Sequence, residues 1–306
     1  MRAAMHPPAA VALRKPLDAF ASVTMVVLCV CWGVQQVAIK AAAPDMHPTL
    51  QIGWRSLCAA LLVVAWMLAR REPFSLRDGT LPAGILVGLL FGGEFVALAL
   101  GVKFTTAGHM TVFLYTAPIF AALGLHCAVK EERLTGRQWL GVGVAFAGIA
   151  VAFSGSLFTP GGASLIVGDA LGILAGVLWG ATTLVIRASR LSEAAPAKTL
   201  LYQLAGAAIL LLPLAWWNGD TRTVVTSPAL WWNLAFQTVV VGFASFLIWF
   251  WLMRTYLASR MSIFSFLTPL FGVAFGVLFL SEPLDPAFVI GSILVLAGIT
   301  CVNLRK

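Results

Sequence analysis

The sequence predicts an all-α integral membrane protein, with ten transmembrane helices in two inverted five-helix repeats and both termini in the cytoplasm. Three observations lead to this fold class: an apolar composition, a series of bilayer-length segments, and an internal repeat. Hydrophobic residues make up 60% of the 306 residues and charged residues only 10%, whereas soluble domains carry about 25% charged residues. No polar stretch is long enough for an extramembrane domain, which excludes a modular receptor or ATPase.

Ten segments are apolar over about the 20 residues that cross a bilayer. The predicted spans cover residues 19–39, 49–69, 81–101, 105–129, 136–154, 167–187, 198–217, 229–252, 257–280 and 286–303. Residues 155–166 form a predicted linker on the outer side. Short loops join the other spans, so consecutive helices cross the bilayer in opposite directions.

The basic residues predict the orientation of these spans, because cytoplasmic loops are enriched in Lys and Arg. Of the 20 basic residues, 16 fall on the side of the N terminus, three on the opposite side, and Arg55 inside a span. Both termini are therefore predicted in the cytoplasm. The net charge of +8 is a consequence of this topology, so a nucleic acid is not an expected partner.

The two halves of the chain match each other at an offset of 147–151 residues. Matched positions are Trp32 and Trp179, Lys40 and Arg187, Ala107 and Ala258, Pro118 and Pro269, Glu132 and Glu282, and Gly148 and Gly298. An ordered set of matches at one offset indicates a duplicated unit. Because each unit, residues 19–154 and 167–303, has five spans, the second copy crosses the membrane in the opposite direction. Inverted repeats of this kind are typical of transporters that work by alternating access.

Several residues also carry a resemblance to a known family. They are Trp32-Gly33, Trp179-Gly180, Arg55, Thr106 through Pro118 with Glu131 to Leu134, Leu257 through Pro269 with Glu282 to Leu284, and Gly168-Asp169. In this order they make the sequence similar to the ten-helix EamA-type branch of the drug/metabolite transporter superfamily, most like bacterial exporters of aromatic and other neutral amino acids. The resemblance implies a monomer in the bacterial inner membrane that exports amino acids or related metabolites, with membrane lipid around it and no cofactor.

Polar side chains inside the predicted spans are candidate substrate-binding residues, since polar groups are costly within a bilayer. At 1.5 Å per helical residue, one group falls at a common level near the outer side: Gln35, Gln36, Arg55, Glu94 and His109. The repeat-related group, expected near the inner side, is Thr182, Thr183, Gln203, Ser245 and Arg260. We expect these two layers to face a shared interior and to meet the charged backbone ends of a substrate.

Three of these residues have two interpretations each. Glu94 either carries a proton or binds a substrate ammonium, or it forms a structural ion pair with Arg55, because opposite charges in a low dielectric favour pairing. For Arg55 a structural role is therefore preferred over a role in substrate binding. His109 either titrates near neutral pH or donates a hydrogen bond as a neutral ring.

Aromatic residues are predicted to line the same cavity. Trp32 and Trp179 lie about two turns from the helix ends, deeper than interfacial tryptophans, and would face a flat apolar side chain or an organic cation. Packing between the first and sixth spans is the alternative. Tyr115 is predicted to reach the substrate with its hydroxyl, and Trp249 to line the opposite wall.

Two prolines and one aspartate have predicted mechanical roles. Pro118 and Pro269 interrupt the fourth and ninth spans and are predicted hinges for gating, because proline removes a helical hydrogen bond and kinks the helix. Asp169 is expected at the outer start of the sixth span, where it would complement the helix dipole. The glycine-spaced fifth and tenth spans are expected to pack closely together.

The alternative function is a proton-coupled exporter of multiple drugs or organic cations. The related small multidrug-resistance proteins depend on an acidic residue in the first helix, but here that position holds Trp32 and its counterpart holds Trp179. Any coupling would then fall to Glu94 or His109. An enzyme is not expected, because Walker A, Asp-rich and His-box motifs are missing. The five cysteines have no spacing that predicts a metal site or a disulfide framework.

Overall fold

The computed structural model describes residues 18–72, 75–128, 133–157, 162–256, 264 and 267–303. These residues form helices and their connections, with no β-strand among them. In chain order the helices are α1 (Ala19–Ala41), α2 (Pro48–Ala69), α3 (Leu81–Gly101), α4 (Ala107–Leu114), α5 (Ala117–Ala128), α6 (Gly136–Leu157), α7 (Gly162–Ala188), α8 (Pro196–Trp217), α9 (Pro228–Ala235), α10 (Phe246–Thr255), α11 (Leu267–Leu280) and α12 (Pro286–Asn303). A π-helical segment, Phe236–Ser245, joins α9 to α10.

Eight helical stretches of the described chain are long and apolar enough to span a membrane. The pair α4 and α5 counts as one of them, and α9, the π-helical segment and most of α10 form another. Shorter apolar helices cover 267–280 and 286–302. The chain is a multi-pass helical membrane protein, while the count of ten spans, the inverted repeat and the orientation stay predictions.

Local sequence signals explain where most helices begin. Asp18 accepts a hydrogen bond from Ala21 N at 2.7 Å and so caps α1, and Ser227 caps α9 in the same way. Pro48 and Pro196 open α2 and α8, positions at which the missing N–H costs no helical hydrogen bond. Because α6 ends at Leu157 and α7 begins at Gly162, both helices extend into the predicted linker at 155–166.

The predicted fourth span is divided into α4 and α5 at Tyr115 and Thr116. Pro118, two residues further, has no N–H to continue the helical hydrogen bonds, and Thr116 Oγ1 donates instead to Phe113 O at 2.6 Å. The break therefore lies beside one of the two predicted hinges. Pro269 is the third residue of α11, and residues 265–266 before it lie outside the described chain, so the hinge role of both prolines stays a prediction.

Glycines permit two very close helix crossings. A Cβ atom on Gly148 of α6 would lie 2.6 Å from Val295 N of α12, and a Cβ atom on Gly206 of α8 would lie 2.2 Å from Gly88 O of α3. Neither distance can accommodate a side chain. The predicted close contact between the glycine-spaced fifth and tenth spans is confirmed by the packing of α6 on α12.

The bundle has two ends that we name after their lysines. At the Lys40 end, the C terminus of α1 meets the N terminus of α4 and the connection between α11 and α12, where Lys40 pairs with Glu282. At the Lys198 end, the N terminus of α8 meets the connection between α2 and α3 through Lys198 and Asp78. Polar contacts at each end therefore join helices that are distant in the sequence.

Candidate functional site

A central cluster of polar side chains lies between the two ends. It consists of Arg55 on α2, Glu94 on α3, Tyr115 between α4 and α5, and Thr268 on α11. All four residues are buried. Glu94 interacts electrostatically with both Arg55 and the Tyr115 hydroxyl group, and Thr268 lies next to Tyr115. Four distant segments of the chain thus contribute to one polar site inside an apolar bundle.

Three polar atoms of Arg55 and Glu94 in this central cluster lack a partner within the protein. Arg55 is 1% exposed and Glu94 is 4% exposed, yet Arg55 Nε and Nη1 and Glu94 Oε2 have no hydrogen-bond partner. The two charges lie within electrostatic range of each other, and the structural ion pair between Arg55 and Glu94 stays a prediction.

The Arg55 side chain is held by aromatic packing. Its Cζ atom lies 4.5 Å from the centroid of the Phe95 ring, a cation–π arrangement that leaves the edge of the guanidinium group available to hydrogen-bond acceptors. On its other side, Gly242 of the π-helical segment lies near Arg55 Cγ, where an added Cβ would be 3.7 Å away. The backbone of α2 and this packing fix the position of the charge.

A row of aromatic rings runs from Arg55 toward the α1 side of the bundle. Phe95 contacts Phe91 at 4.9 Å between ring centroids, and Phe91 contacts Phe246 at 6.3 Å. Phe246 lies 6.4 Å from Trp32, and Trp32 lies 5.7 Å from Trp249 in an edge-to-face arrangement. These rings provide an apolar surface that begins at the central cluster.

The structure brings together several of the residues predicted to bind substrate. Trp32 Nε1 donates to Ser245 Oγ at 3.0 Å, so these two residues and Trp249 lie on one wall. Tyr115 and Trp179 form an edge-to-face pair at 5.1 Å, which joins the second predicted tryptophan to the central cluster. Trp32 packs against the buried apolar cluster around Met25 and Leu252, and Trp179 packs against the cluster that contains Phe95 and Tyr115.

Other predicted site residues bond elsewhere. Thr182 Oγ1 donates to Leu178 O at 2.9 Å and Thr183 Oγ1 to Trp179 O at 3.1 Å, both within α7. Gln35 and Gln36 are buried on α1, and Gln36 Oε1 has no hydrogen-bond partner. Gln36 therefore resembles the central cluster in its unmet hydrogen bonding, whereas the two threonine hydroxyl groups already donate to their own helix.

His109 forms a separate site with Asp169, nearer the Lys40 end. His109 Nδ1 lies 3.0 and 3.1 Å from the two carboxylate oxygens of Asp169, and the Thr105 hydroxyl donates to the same carboxylate. The imidazole ring stacks on Phe288 at 3.7 Å. The structure thus places the His109 side chain between Asp169 of α7 and Phe288 of α12.

The prediction that Asp169 begins the sixth span is wrong. The helix α7 begins at Gly162, so Asp169 lies two turns inside it, and its exposure is 0%. Residues 162–166, which the prediction assigned to the linker, continue the helix beyond the predicted boundary. Asp169 consequently binds side chains of α4 and its preceding loop instead of complementing a helix start.

Sequence reasoning also missed the role of Glu282. Its Oε1 atom accepts from Ala107 N at 2.7 Å and pairs with Lys40 Nζ at 3.0 Å, and its Oε2 atom accepts from Gly108 N at 3.1 Å. Lys40 also donates to Thr105 O at 2.6 Å. The signal available in the sequence was the isolated Lys40 on the side with few basic residues, opposite an acidic residue in another outer loop.

The Lys198 end contains a second ion pair. Lys198 Nζ lies 2.5 Å from Asp78 Oδ2 and donates to Ser75 O at the same distance. These bonds, together with a hydrogen bond from Thr80, hold the pKa of the Asp78 carboxyl well below its usual range. The pair joins the connection before α3 to the start of α8.

A metal site has no support in the residues that the structure describes, since no group of three His, Cys, Asp or Glu side chains comes together there.

A buried network of side-chain amides lies near the Lys40 end. Gln237 Nε2 donates to Gln51 Oε1 at 3.0 Å and to Asn233 Oδ1 at 2.6 Å, and Asn233 donates to Ala38 O at 2.9 Å. This network ties α1 and α2 to α9 and the π-helical segment.

Comparisons with known proteins agree with this architecture. The EamA-like transporter family matches residues 19–154 and 166–304. An uncharacterized transporter of Archaeoglobus fulgidus is 27% identical over 274 residues, which cover 88% of this chain and 92% of that protein. YoaV, an uncharacterized transporter of Bacillus subtilis, is 25% identical over 269 residues, 88% of this chain and 91% of that one.

Two further similarities bear on function and fold. A probable amino-acid metabolite efflux pump of Salmonella typhimurium is 25% identical over 291 residues, which cover 92% of this chain and 93% of that protein. A protein of known crystal structure with 18% identity has a TM-score of 0.64 and covers 93% of this chain and 96% of its own. That structure shows a shared fold and nothing beyond it.

Proposed function

Because the chain belongs to the EamA-like transporter family, we propose that it is a secondary transporter that exports neutral, including aromatic, amino acids or related metabolites across the cytoplasmic membrane. The observation that carries the proposal is the central cluster, in which buried polar atoms of Arg55 and Glu94 lack protein partners beside a row of aromatic rings. Polar groups of this kind are costly inside a membrane protein and mark substrate pathways. The rings suit the apolar side chain of an amino acid.

The relatives support transport, and one of them supports the substrate class. The Archaeoglobus and Bacillus proteins are named transporters, and the Salmonella protein is named as a probable amino-acid metabolite efflux pump. The direction of export comes to this chain from that relative and from the resemblance seen in the sequence. Full-length coverage on both sides makes the comparison one between whole transport units.

The packing supports alternating access between two repeats. The family match falls in two stretches, and each lies within one predicted half of the chain. Helices at equivalent places in the two halves pack on each other: α2 on α8, α4 on α11 and α6 on α12. Such pairs are expected around a pseudo-twofold axis in the membrane plane, and two halves related in this way would rock about a shared site.

The alternative of an organic-cation exporter is favoured by one observation and opposed by another. Glu94 beside aromatic rings would suit a cation. Arg55, however, interacts electrostatically with Glu94 from the same cluster, and its positive charge would repel an organic cation placed there. A neutral zwitterion avoids this repulsion, so amino-acid export is the stronger of the two readings.

Efflux from proteoliposomes tests the proposal. Vesicles containing the purified protein would be loaded with radiolabelled phenylalanine, leucine or tetraphenylphosphonium, and release would be followed with and without a pH gradient. We expect both amino acids to leave faster than from protein-free vesicles. Trp179→Ala should slow the release of phenylalanine, because Trp179 packs on Tyr115.

The matched control is Trp232→Ala, which removes a tryptophan that is 78% exposed on the outside of the bundle and should leave efflux unchanged. Release of tetraphenylphosphonium alone would replace the amino-acid proposal by the cation alternative. Equal rates with and without the gradient would exclude proton coupling while leaving the substrate class intact.

A further inference from the structure

We propose that Arg55 and Glu94 together bind a zwitterion, with the Arg55 guanidinium group holding the substrate carboxylate and the Glu94 carboxylate holding the substrate ammonium group. This inference rests on the proposed function and names its substrate class: amino acids in which both charged groups are free. It also assigns Arg55 to substrate binding, whereas the sequence had suggested a structural role.

The first argument is the hydrogen bonding of Arg55. Its side chain is almost completely buried, and Nε and Nη1 have no acceptor within the protein. A buried charged donor without an acceptor costs several times more free energy than a bonded one gains. The ring of Phe95 holds the guanidinium group by its face, so the donors at its edge remain directed to an acceptor from outside the protein.

The second argument is that Glu94 also has an unsatisfied hydrogen-bonding atom. Its Oε2 atom is buried without a donor, although an oppositely charged group lies within electrostatic range. If the pair served only to stabilise the bundle, direct contact would be the favoured geometry, because attraction in a low dielectric is strongest at short distance. Both side chains instead keep unmet hydrogen-bonding capacity on neighbouring helices, α2 and α3.

The third argument is the balance of charge. One positive and one negative side chain make the central cluster neutral, and a bound zwitterion adds one charge of each sign, so both charges gain a partner. A lone organic cation would pair with Glu94 and leave Arg55 beside an added positive charge, and a lone carboxylate would do the reverse. Within a membrane, where an unpaired charge is costly, the arrangement discriminates against both.

The remaining part of such a substrate also has a surface to meet. The row of rings starts at Phe95, directly against Arg55, and continues through Phe91 and Phe246 toward Trp32. A side chain attached next to the two charged groups would contact this row. The site would therefore fix the backbone ends by charge and accept the side chain by apolar contact.

A ligand series on the unaltered protein is the first test. Binding of tritiated phenylalanine to the detergent-solubilised protein would be measured in competition with unlabelled phenylalanine and with two analogues that share its ring. Of these, 2-phenylethylamine lacks the carboxylate and 3-phenylpropionate lacks the ammonium group. Loss of one charge-assisted interaction should weaken competition roughly ten- to a hundredfold for each analogue. Equal competition by all three compounds would overturn the inference and leave the proposed amino-acid function standing.

Two variants then assign each charge to its side chain. Arg55→Gln should weaken phenylalanine and 3-phenylpropionate about equally and leave 2-phenylethylamine no weaker than before. Glu94→Gln should show the opposite pattern. Arg70→Gln, directly after the end of α2, and Glu193→Gln, in the connection before α8, remove the same charges from exposed positions and should change no affinity.

The outcomes are distinguishable. If the unaltered protein binds neither phenylalanine nor any competing neutral amino acid, the proposed function fails together with the inference. If phenylalanine binds but both variants retain the parent preference between the two analogues, only the inference fails. Should Arg55→Gln elute as an aggregate, Arg55→Lys keeps the charge without the planar donors, and under the proposal it should still bind 3-phenylpropionate more weakly than the parent does.

Discussion

Charged side chains at the Lys40 end and in the central cluster differ in how completely their hydrogen bonds are satisfied. Glu282 uses both carboxylate oxygens, on two backbone amides and on Lys40, and Asp169 receives both His109 and Thr105. In the central cluster, Arg55 and Glu94 are also buried but retain atoms without partners.

The difference separates two uses of charge in one membrane protein. A satisfied carboxylate joins segments that are far apart in the sequence, here α1, α4 and the connection before α12, and so contributes to the stability of the bundle. An unsatisfied one contributes little to stability and is retained for what it binds. Substitutions in the two regions should therefore separate stability from ligand binding.

The largest expected loss of stability follows from Glu282→Ala. The substitution leaves the Ala107 and Gly108 amides and the Lys40 ammonium group without their acceptor, and we expect the free energy of unfolding to fall by about 3 kcal/mol. Titration with sodium dodecyl sulfate, followed by tryptophan fluorescence, measures it. Glu193→Ala, at an exposed position, is the control, and an equal loss in both variants would contradict the assignment.

A smaller loss is expected for Asp169→Asn. The amide keeps the shape of the carboxyl group but loses its charge and replaces one acceptor oxygen by a donor NH2 group, so its hydrogen bonds with His109 and Thr105 are no longer charge-assisted. The expected cost is about 1–2 kcal/mol in the same titration. Thr105→Val, which removes a single donor, should cost less than Asp169→Asn; the reverse order would show that the histidine contact contributes nothing.

The ion pair at the Lys198 end should give a loss that depends on pH. The pKa of Asp78 is lowered mainly by its hydrogen bond from Lys198, so the unfolded chain takes up a proton first as the pH falls, and the stabilisation is lost below the ordinary carboxyl pKa of about 4. Asp78→Asn should melt below the parent at pH 7, and the gap should narrow below about pH 4. A gap that is constant with pH would exclude the ion pair as its cause.

The smallest effect on stability is expected in the central cluster. The double variant Arg55→Met with Glu94→Gln loses the contact between Arg55 and the Phe95 ring but removes no protein hydrogen bond from the two unpartnered groups, and apolar replacements of buried charges are often neutral or stabilising. We expect an unfolding free energy within about 1 kcal/mol of the parent or above it, together with loss of phenylalanine binding. A loss as large as that of Glu282→Ala would mean that these charges stabilise the bundle after all.

The sequence predicted the helices well and the polar contacts poorly, for physical reasons. Apolar runs and proline starts mark a helix because length and backbone chemistry are local properties, as at α2 and α8. The partner of a carboxylate is set by packing between distant segments, so Asp169 was assigned to a helix start and Glu282 was overlooked. The free-energy cost of placing a charged side chain inside a membrane span, by contrast, depends on that residue and not on its partner. Glu94 and Arg55 could therefore be recognised as candidates from their spans alone.

The internal repeat also predicted two of the aromatic residues of the candidate site. It related Trp32 to Trp179 before any geometry was available, and each packs against a buried apolar cluster of the bundle. It gave no indication that Phe91 and Phe95 form the surface next to Arg55, because two phenylalanines in an apolar helix look like lipid contacts. Only the crossing of α2 on α3 distinguishes them from rings that face the membrane.

The crossing of α8 on α3 limits how this molecule can change shape. With Gly206 against the backbone of Gly88, translation along the helix axis would drive a neighbouring side chain into the opposing main chain, and the same holds where Gly148 meets α12. Rotation about the point of closest approach meets no such obstacle. The two glycine crossings would then be the points about which the helices rotate. A small change of crossing angle there would produce a larger displacement at the helix ends, near the membrane surfaces.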